Sequence, residues 1–167
     1  MRNLKEFEGD EPIFIDANIF LHHAFDSRPG AVEFLARLER QGLRAYTSTL
    51  VLEEVMFILL VQSLGMARAA DDPAKLNDTL MNPEARKLAM LSVRKYFEYI
   101  DVLKACGLQI ISLTDGDLST ALDVISGSGI MTADACHVAV MKRKGISHIA
   151  TADGDFARVA DIVAWTP

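Results

Sequence analysis

With 167 residues, 50% of them hydrophobic and 24% charged, the chain is predicted to fold as one globular domain with a substantial core. Its formal net charge of −6 excludes non-specific binding to phosphate backbones, which needs a surplus of Lys and Arg on the binding face. The two cysteines are far apart in the sequence, which indicates buried thiols in a reducing compartment. Segment 1–10 is charged and does not resemble a signal peptide, and the longest apolar run, 55–61, is too short to span a membrane. We therefore expect a cytoplasmic protein without membrane contact.

The first part of the chain alternates between apolar strands and amphipathic helices. The predicted elements are a strand at 12–16, a helix at 18–24, a helix from 29 to the break at 42, a strand at 44–47 and a helix to about residue 64. Pro29 suits the first turn of its helix and Gly42 suits the end. Ser48 or Thr49 is placed to cap the last of these helices.

The alternation resumes after an interruption. Residues 65–82 are rich in Gly, Pro, Asp and Asn, which predicts a loop with at most one short helix. Beyond it we predict a helix at 83–107, a strand at 108–113, helices at 114–125 and 132–144, a strand at 147–151, a short helix at 154–159 and a strand at 161–165. The long helix is expected to bury Leu88, Leu91, Phe97, Ile100 and Leu103. Ser126–Gly129 is interpreted as a flexible joint, and Thr132 as a helix cap.

Strands that alternate with helices predict an α/β fold, in which a central, mostly parallel sheet of about five strands is flanked by helices. Functional residues in such sheets lie at the carboxyl ends of strands. The sequence places Asp16 and Asp153 at such ends, so we expect these two acids to share a site.

Four short stretches each carry an acid that could help to hold a cation. They are Ile13–Asn18 with Asp16 and Asn18, Ser48–Glu54 with Glu54, Thr132–Asp134 with Asp134, and Ile149–Phe156 with Thr151, Asp153 and Asp155. A carboxylate at a strand end or a helix start is costly without a partner, and converging carboxylates repel one another. Mg²⁺ or Mn²⁺ is the hard cation that a set of oxygen ligands selects.

In this order, the four stretches resemble the PIN domain family of metal-dependent ribonucleases, and within it the VapC-type toxins and their stand-alone archaeal and bacterial relatives. The resemblance runs from about residue 12 to residue 165. It implies a single PIN-like domain over residues 1–167, a Mg²⁺- or Mn²⁺-dependent endoribonuclease activity, a homodimer and an antitoxin that blocks the site. The chain exceeds a typical toxin mainly at about 65–105, which we interpret as an insertion; a non-toxin nuclease of RNA processing is therefore the alternative.

The resemblance also implies roles for individual residues. The expected metal ligands are Asp16, Glu54, Asp134, Asp153 and Asp155. The first four of these are also expected to be catalytic, with Asn18 and Thr151 in support. The family's helix acid follows a small hydroxyl residue by six positions, which selects Glu54 after Ser48. Glu53 lies about 100° round the helix and is expected to face solvent.

Each acid also has an ordinary structural interpretation. Asp16 could terminate a strand, Asp134 could favour a helix macrodipole, and Asp153 or Asp155 could cap a helix. An aspartyl phosphatase would want a second acid where Asn18 stands. A non-catalytic RNA-binding protein with the same fold is a further hypothesis, which the intact set of acids disfavours.

Several other residues are interpreted as structural or as contributors from the insertion. Asp117 is expected to cap a helix, and the basic run 142–144 is ordinary for a last helical turn. His137, one turn after Asp134, is expected to be a partly buried helix histidine. The cations to test within the insertion, for a dimer contact or an RNA path, are Arg68, Lys87 and Arg94.

Overall fold

Six parallel strands form the central sheet of the computed structural model, which describes residues 1–66 and 73–167. The strands are β1 (Arg2–Asn3), β2 (Ile13–Ile15), β3 (Ala45–Ser48), β4 (Gln109–Ile111), β5 (His148–Ala150) and β6 (Val163–Thr166). Their order is β1-β6-β5-β2-β3-β4, and every pair is parallel. The predicted α/β fold with a mostly parallel sheet is confirmed; β1, only two residues long, is the strand that the sequence did not indicate.

The described residues contain seven α-helices. They are α1 (Ala17–Ala24), α2 (Pro29–Gln41), α3 (Thr49–Ser63), α4 (Pro73–Met81), α5 (Pro83–Ala105), α6 (Asp115–Ser128) and α7 (Thr132–Lys144). Short 3-10 helices cover Leu4–Glu6 and Gly154–Arg158. Gly42 ends α2 at φ 62°, a left-handed conformation in which glycine avoids a steric penalty. Within the same residues, no single helix is long and apolar enough to cross a membrane; α6 and α7 pass that test only as a pair bent by 115°.

The register of the central strands places three polar residues at one edge of the sheet. β2 is fully buried and lies between β3 and β5, where Ile13 stands opposite Ala45 and His148. These three strands run in the same direction, so Asp16, Ser48 and Thr151 follow or end them at a common edge. The Asp16 N–H donates to Ala150 O at 3.1 Å, which extends the pairing of β2 with β5 up to that edge.

An ion pair between a buried carboxylate and an exposed guanidinium joins α6 to α7. Asp117 is 2% exposed and accepts from Arg143 Nε at 2.7 Å, as well as from the backbone and hydroxyl of Thr114 in a capping box. The Arg143 guanidinium is the main reason that the pKa of Asp117 falls to about 2. Capping by Asp117 is therefore confirmed, while Arg143 is a structural cation that fixes the carboxyl end of α7.

Three local predictions from the sequence were wrong. Leu88 and Leu91 are 67% and 57% exposed, because α5 buries a stripe that repeats every three or four residues through Ala89, Val93, Tyr96, Ile100 and Leu103. The proposed joint at 126–129 is helical up to Ser128, and Gly129 ends α6 at φ 67°. Thr132 is the first residue of α7 and makes no cap; the N-cap position belongs to Met131. The interruption at 65–82 does contain a short helix, α4.

Candidate metal centre

Asp16 is the buried anchor of the cluster of predicted site residues. It follows β2, caps α1 by accepting the Ala17 N–H at 2.7 Å, and is 5% exposed. Burial raises its pKa, and the negative charge of Asp153 adds to the effect, while hydrogen bonds from Thr151 and Ala17 oppose it. A carboxylate this deep is held in one orientation at the carboxyl edge of the sheet.

Asn18 and Thr151 clamp the second carboxylate oxygen of Asp16. Thr151 Oγ1 donates to Asp16 Oδ2 at 2.7 Å, and the Asn18 amide donates both to Asp16 Oδ2 and to Thr151 Oγ1. Asn18 Oδ1 in turn accepts the Ala152 N–H at 2.7 Å. These bonds tie the first turn of α1 to the residues after β5, so a change at Asn18 or Thr151 would alter the position of Asp16.

The segment after β5 brings two further acids to the same edge. Thr151 Oγ1 accepts the Asp153 N–H at 2.9 Å, and Asp153 caps the following 3-10 helix by accepting the Asp155 N–H at 2.8 Å. Asp155 itself pairs with Arg158, whose Nη2 lies 2.6 Å from Asp155 Oδ1. Asp153 is therefore a cap that still has an oxygen without a hydrogen-bond partner among the described residues, whereas Asp155 already has a cationic partner.

Glu54 and Asp134 reach this edge from helices on separate parts of the chain. Burial is the main cause that raises the pKa of Glu54 to about 7, and the charges of Asp16 and Asp134 add to it. The pKa of Asp134 rises to about 6, first through burial and then through the charges of Asp16, Asp153 and Asp155. The neighbouring Glu53 is exposed, as the helix register predicted. Glu54 and Asp134 are therefore within electrostatic range of Asp16 and of each other.

The composition of this cluster suits a divalent cation. Its donors are carboxylate, amide and hydroxyl oxygens, with no cysteine or histidine donor among them, and this is the ligand chemistry that Mg²⁺ and Mn²⁺ prefer. Burial first, and repulsion from neighbouring carboxylates second, raise the pKa values of Glu54 and Asp134, and a bound cation would offset both effects. As the side chains stand, no three acidic, His or Cys residues in the described ranges lie close enough together to hold a metal ion.

The sequence underestimated the burial of His137 and did not indicate a partner for Asp155. His137 is 1% exposed rather than partly buried, and its ring centroid lies 5.8 Å from that of Phe14. Neither ring nitrogen has a hydrogen-bond partner within residues 1–66 and 73–167, and burial lowers the pKa of His137 to about 4. Arg158 was also missed, although its spacing of three from Asp155 is the spacing at which helical side chains pair.

A parallel sheet that gathers acids at its carboxyl edge is the arrangement in which α/β proteins place their functional groups. The family model described as "PIN domain" matches residues 13–162, and the chain belongs to the PIN domain family. Members of this family are generally nucleases. No curated protein matches the chain.

Solved structures with the same fold include VapC toxins. VapBC2 from Rickettsia felis, bound to a promoter DNA fragment, has a TM-score of 0.56 and 11% identity over 92% of this chain and 97% of its own. A toxin–antitoxin complex from Klebsiella pneumoniae has a TM-score of 0.57 and 16% identity over 90% of this chain and 95% of its own. VapC20 of Mycobacterium tuberculosis, a sarcin–ricin loop cleaving toxin, has a TM-score of 0.57 and 15% identity over 90% and 98%. At these identities the likeness is one of fold.

Proposed function

We propose that this protein is a Mg²⁺- or Mn²⁺-dependent endoribonuclease that uses the acid cluster to hold its metal. The observation that carries the proposal is the convergence of carboxylates from four separate segments, whose mutual repulsion adds to burial in raising the pKa of Glu54 to about 7 and of Asp134 to about 6. A stable fold has no need to place mutually repelling acids together, because such repulsion costs folding free energy. The cluster is therefore better explained by a bound cation than by helix capping.

The side chains divide the work of holding an ion. Asp16 provides a rigid carboxylate, because Asn18 and Thr151 fix its Oδ2 with two hydrogen bonds. Its Oδ1 accepts only the Ala17 N–H among the described residues, so this oxygen keeps a lone pair for the ion. Asp134 and Asp153 are the further direct ligands, and the longer side chain of Glu54 can reach the ion directly or through a water. Asp155 already pairs with the guanidinium of Arg158. Its carboxylate is therefore expected to contribute least to holding the ion.

When a divalent cation is bound, it lowers the pKa of an attacking water and offsets the charge that builds on the scissile phosphodiester. The protein's own part is to keep the carboxylates oriented before the substrate arrives. Asp16 is immobilised by its hydrogen bonds, and Asp153 by its cap at the start of the 3-10 helix. This preorganisation is what a substitution at Asn18 or Thr151 would remove.

The test combines metal binding with cleavage. Purified protein should bind Mn²⁺ in a calorimetric titration and should cleave single-stranded or structured RNA with Mg²⁺ or Mn²⁺ but not with EDTA. Asp134→Asn should weaken Mn²⁺ binding and reduce cleavage by at least ~10²-fold. The matched control is Asp115→Asn, because Asp115 is an exposed acid in the first turn of α6 and should affect neither readout. Cleavage that survives chelation would overturn the mechanism, and RNA binding without cleavage would favour a non-catalytic PIN-like protein.

The toxin assignment rests on the fold neighbours, which include VapBC and FitAB complexes. By that likeness we propose a cytoplasmic homodimer whose site an antitoxin protein blocks. Induced expression should then arrest growth in a manner that Asp16→Asn abolishes, and light scattering should give the mass of a dimer. A small DNA-binding protein encoded beside this chain would favour the toxin; normal growth with active enzyme would favour the alternative, a nuclease of RNA processing.

The segment 65–105 is proposed to stand beside the active-site face, in the dimer contact or along the RNA path. Arg68 lies outside the described residues, while Lys87 and Arg94 are exposed on α5. Arg94→Glu should weaken RNA binding and flatten its salt dependence if α5 contributes cations. Deletion of 66–80 with dimerisation and cleavage unchanged would mean that this segment has no such role.

A further inference from the structure

A cleft of about 630 Å³ lies between segment 6–11 and the side of the sheet formed by β1, β6 and β5. The acid cluster of the metal centre contributes none of its lining residues. Its wall includes His148, the first residue of β5, and Trp165 of β6. Aromatic rings form its floor and carboxylates its rim, which is the composition of a site for an organic cation.

The floor is a fixed group of three rings. Phe7 meets Trp165 edge-on with centroids 5.3 Å apart, and His148 stacks on Trp165 at 5.8 Å. Trp165 Nε1 donates to His148 Nδ1 at 2.9 Å, so a neutral His148 carries its proton on Nε2. The three side chains hold one another, and the floor needs no rearrangement to receive a ligand.

A guanidinium group already lies on this floor. Arg2 stands directly opposite Trp165 in the pairing of β1 with β6, and its guanidinium carbon is 5.4 Å from the centre of the Trp165 ring. This is the geometry of a cation–π contact. Arg2 is exposed and makes no ion pair among the described residues, so water competes for it and a better-paired cation could replace it.

The rim carries more negative charge than Arg2 can balance. Its acids are Glu6, Glu8, Asp10 and Glu11. All four are exposed, and none makes an ion pair within the described part of the chain. The nearby Arg37 and Arg44 donate to backbone carbonyls rather than to these carboxylates: Arg37 to those of Leu4 and Phe7, and Arg44 to that of Asp10. The rim is therefore held in place through its backbone while its carboxylates stay available.

We propose that this cleft is a binding site for the guanidinium group of an arginine in a basic peptide segment of a partner protein. The incoming group takes the place of Arg2 over Trp165, and the carboxylates of the rim pair with it and with a second cation of the same segment. A planar, weakly hydrated guanidinium stacks on an aromatic face better than a strongly hydrated ammonium does. Four carboxylates exceed what one guanidinium can pair, which favours a peptide over free arginine as the source.

Fluorescence of Trp165 gives a direct test, because it is the only tryptophan of the chain. The full-length protein is titrated with a blocked peptide that contains two arginines, with the lysine version of that peptide, and with free arginine. The arginine peptide should give a saturable change in emission that weakens with salt, and the lysine peptide should bind less well. Equal binding of free arginine would keep the guanidinium site but make a small molecule its source; equal binding of the lysine peptide would overturn the guanidinium assignment.

Two variants locate the binding in the cleft. Replacing both Glu8 and Glu11 by Gln should reduce the affinity for the arginine peptide about fivefold. The effect is this small because exposed ion pairs contribute little free energy. The matched control replaces both Glu84 and Glu98, exposed acids of α5, by Gln and makes the same change in net charge. Arg2→Ala should tighten binding, because it removes the resident competitor. The proposal is refuted if emission never saturates, or if the cleft and control variants bind alike. RNA cleavage plays no part in this readout, so its outcome is independent of the proposed nuclease activity.

Discussion

Acid should destabilise this protein specifically through His137. The ring is 1% exposed and neither nitrogen has a partner among the described residues, so burial lowers its pKa from 6.5 to about 4. Between these two values the unfolded chain binds a proton at this position and the folded chain does not. Stability from His137 is therefore present above about pH 6.5 and is lost as the pH falls towards 4. Each pH unit of difference between the two pKa values corresponds to roughly 1.4 kcal/mol, which gives about 3 kcal/mol for this gap.

The acids of the proposed metal centre act in the opposite direction over the same range. The folded pKa values of Glu54 and Asp134 are raised to about 7 and about 6, so protonation of these groups relieves repulsion as the pH falls. The stability of the unmodified protein records the sum of both effects. Comparison with His137→Leu isolates the histidine, because the substitution removes the imidazole and leaves the carboxylates, including Asp134 on the same helix, in place.

Urea unfolding followed by circular dichroism, in EDTA and at several pH values between 7 and 4.5, measures the difference. His137→Leu should be more stable already at pH 7, because it removes two buried nitrogens without partners, each of which costs about 1–3 kcal/mol when left unsatisfied. Its advantage should then grow by about 2 kcal/mol as the pH falls to 4.5. His22→Gln serves as the control, since His22 is only half-buried and accepts or donates a hydrogen bond with Ser27. If the free energy of unfolding changed with pH in the same way for the unmodified protein and His137→Leu, the reasoning would be refuted.

Three further outcomes are expected from the remaining titratable groups. Glu54→Gln should reduce cleavage by about 10²-fold and Glu53→Gln by much less, and equal rates for the two variants would mean that the register of α3 is wrong. In EDTA at pH 7, Asp134→Asn should stabilise the fold by about 1 kcal/mol after allowance for solvent screening. That gain should vanish between pH 6 and 3.8 in a thermal melt, since the folded carboxyl then takes up its own proton. Arg143→Gln should destabilise the protein in urea unfolding, because it removes the guanidinium hydrogen bonds to the buried carboxylate of Asp117, and adding Asp117→Asn should recover most of the loss.

The sequence predicted the parts of the structure that depend on local pattern. A short apolar run followed by an acid defines β2 and Asp16 without knowledge of the rest of the fold, and the cap at Ser48 fixes the register that turns Glu54 inward and Glu53 outward. The carboxyl edge as a meeting point follows from parallel strands alone. These signals are strong because each is decided within a few residues.

The features that were missed depend on packing between distant segments. Periodicity assigns one buried face to a helix, whereas α7 buries every residue from Ala135 to Met141, so the depth of His137 was not visible. In α5, the buried stripe runs through residues such as Ala89 and Val93. The larger side chains of Leu88 and Leu91 lie off this stripe and are exposed despite their hydrophobicity. The aromatic cleft joins residues from both ends of the chain, and only the pairing of β1 with β6 brings Arg2 next to Trp165.

The distribution of charge implies an order of events for the proposed nuclease. Five acids stand at or beside the proposed metal centre and four more rim the aromatic cleft, in a chain whose net charge is −6. Without a cation, the centre would repel the phosphate that it must bind, because like charges in a partly buried site are poorly screened. We therefore expect RNA affinity itself, and not only cleavage, to require the metal. In EDTA, fluorescence anisotropy with labelled RNA should show that Asp134→Asn binds RNA more tightly than the unmodified protein does, because one repelling charge is gone. Equally weak binding by both proteins would mean that RNA is held away from these carboxylates.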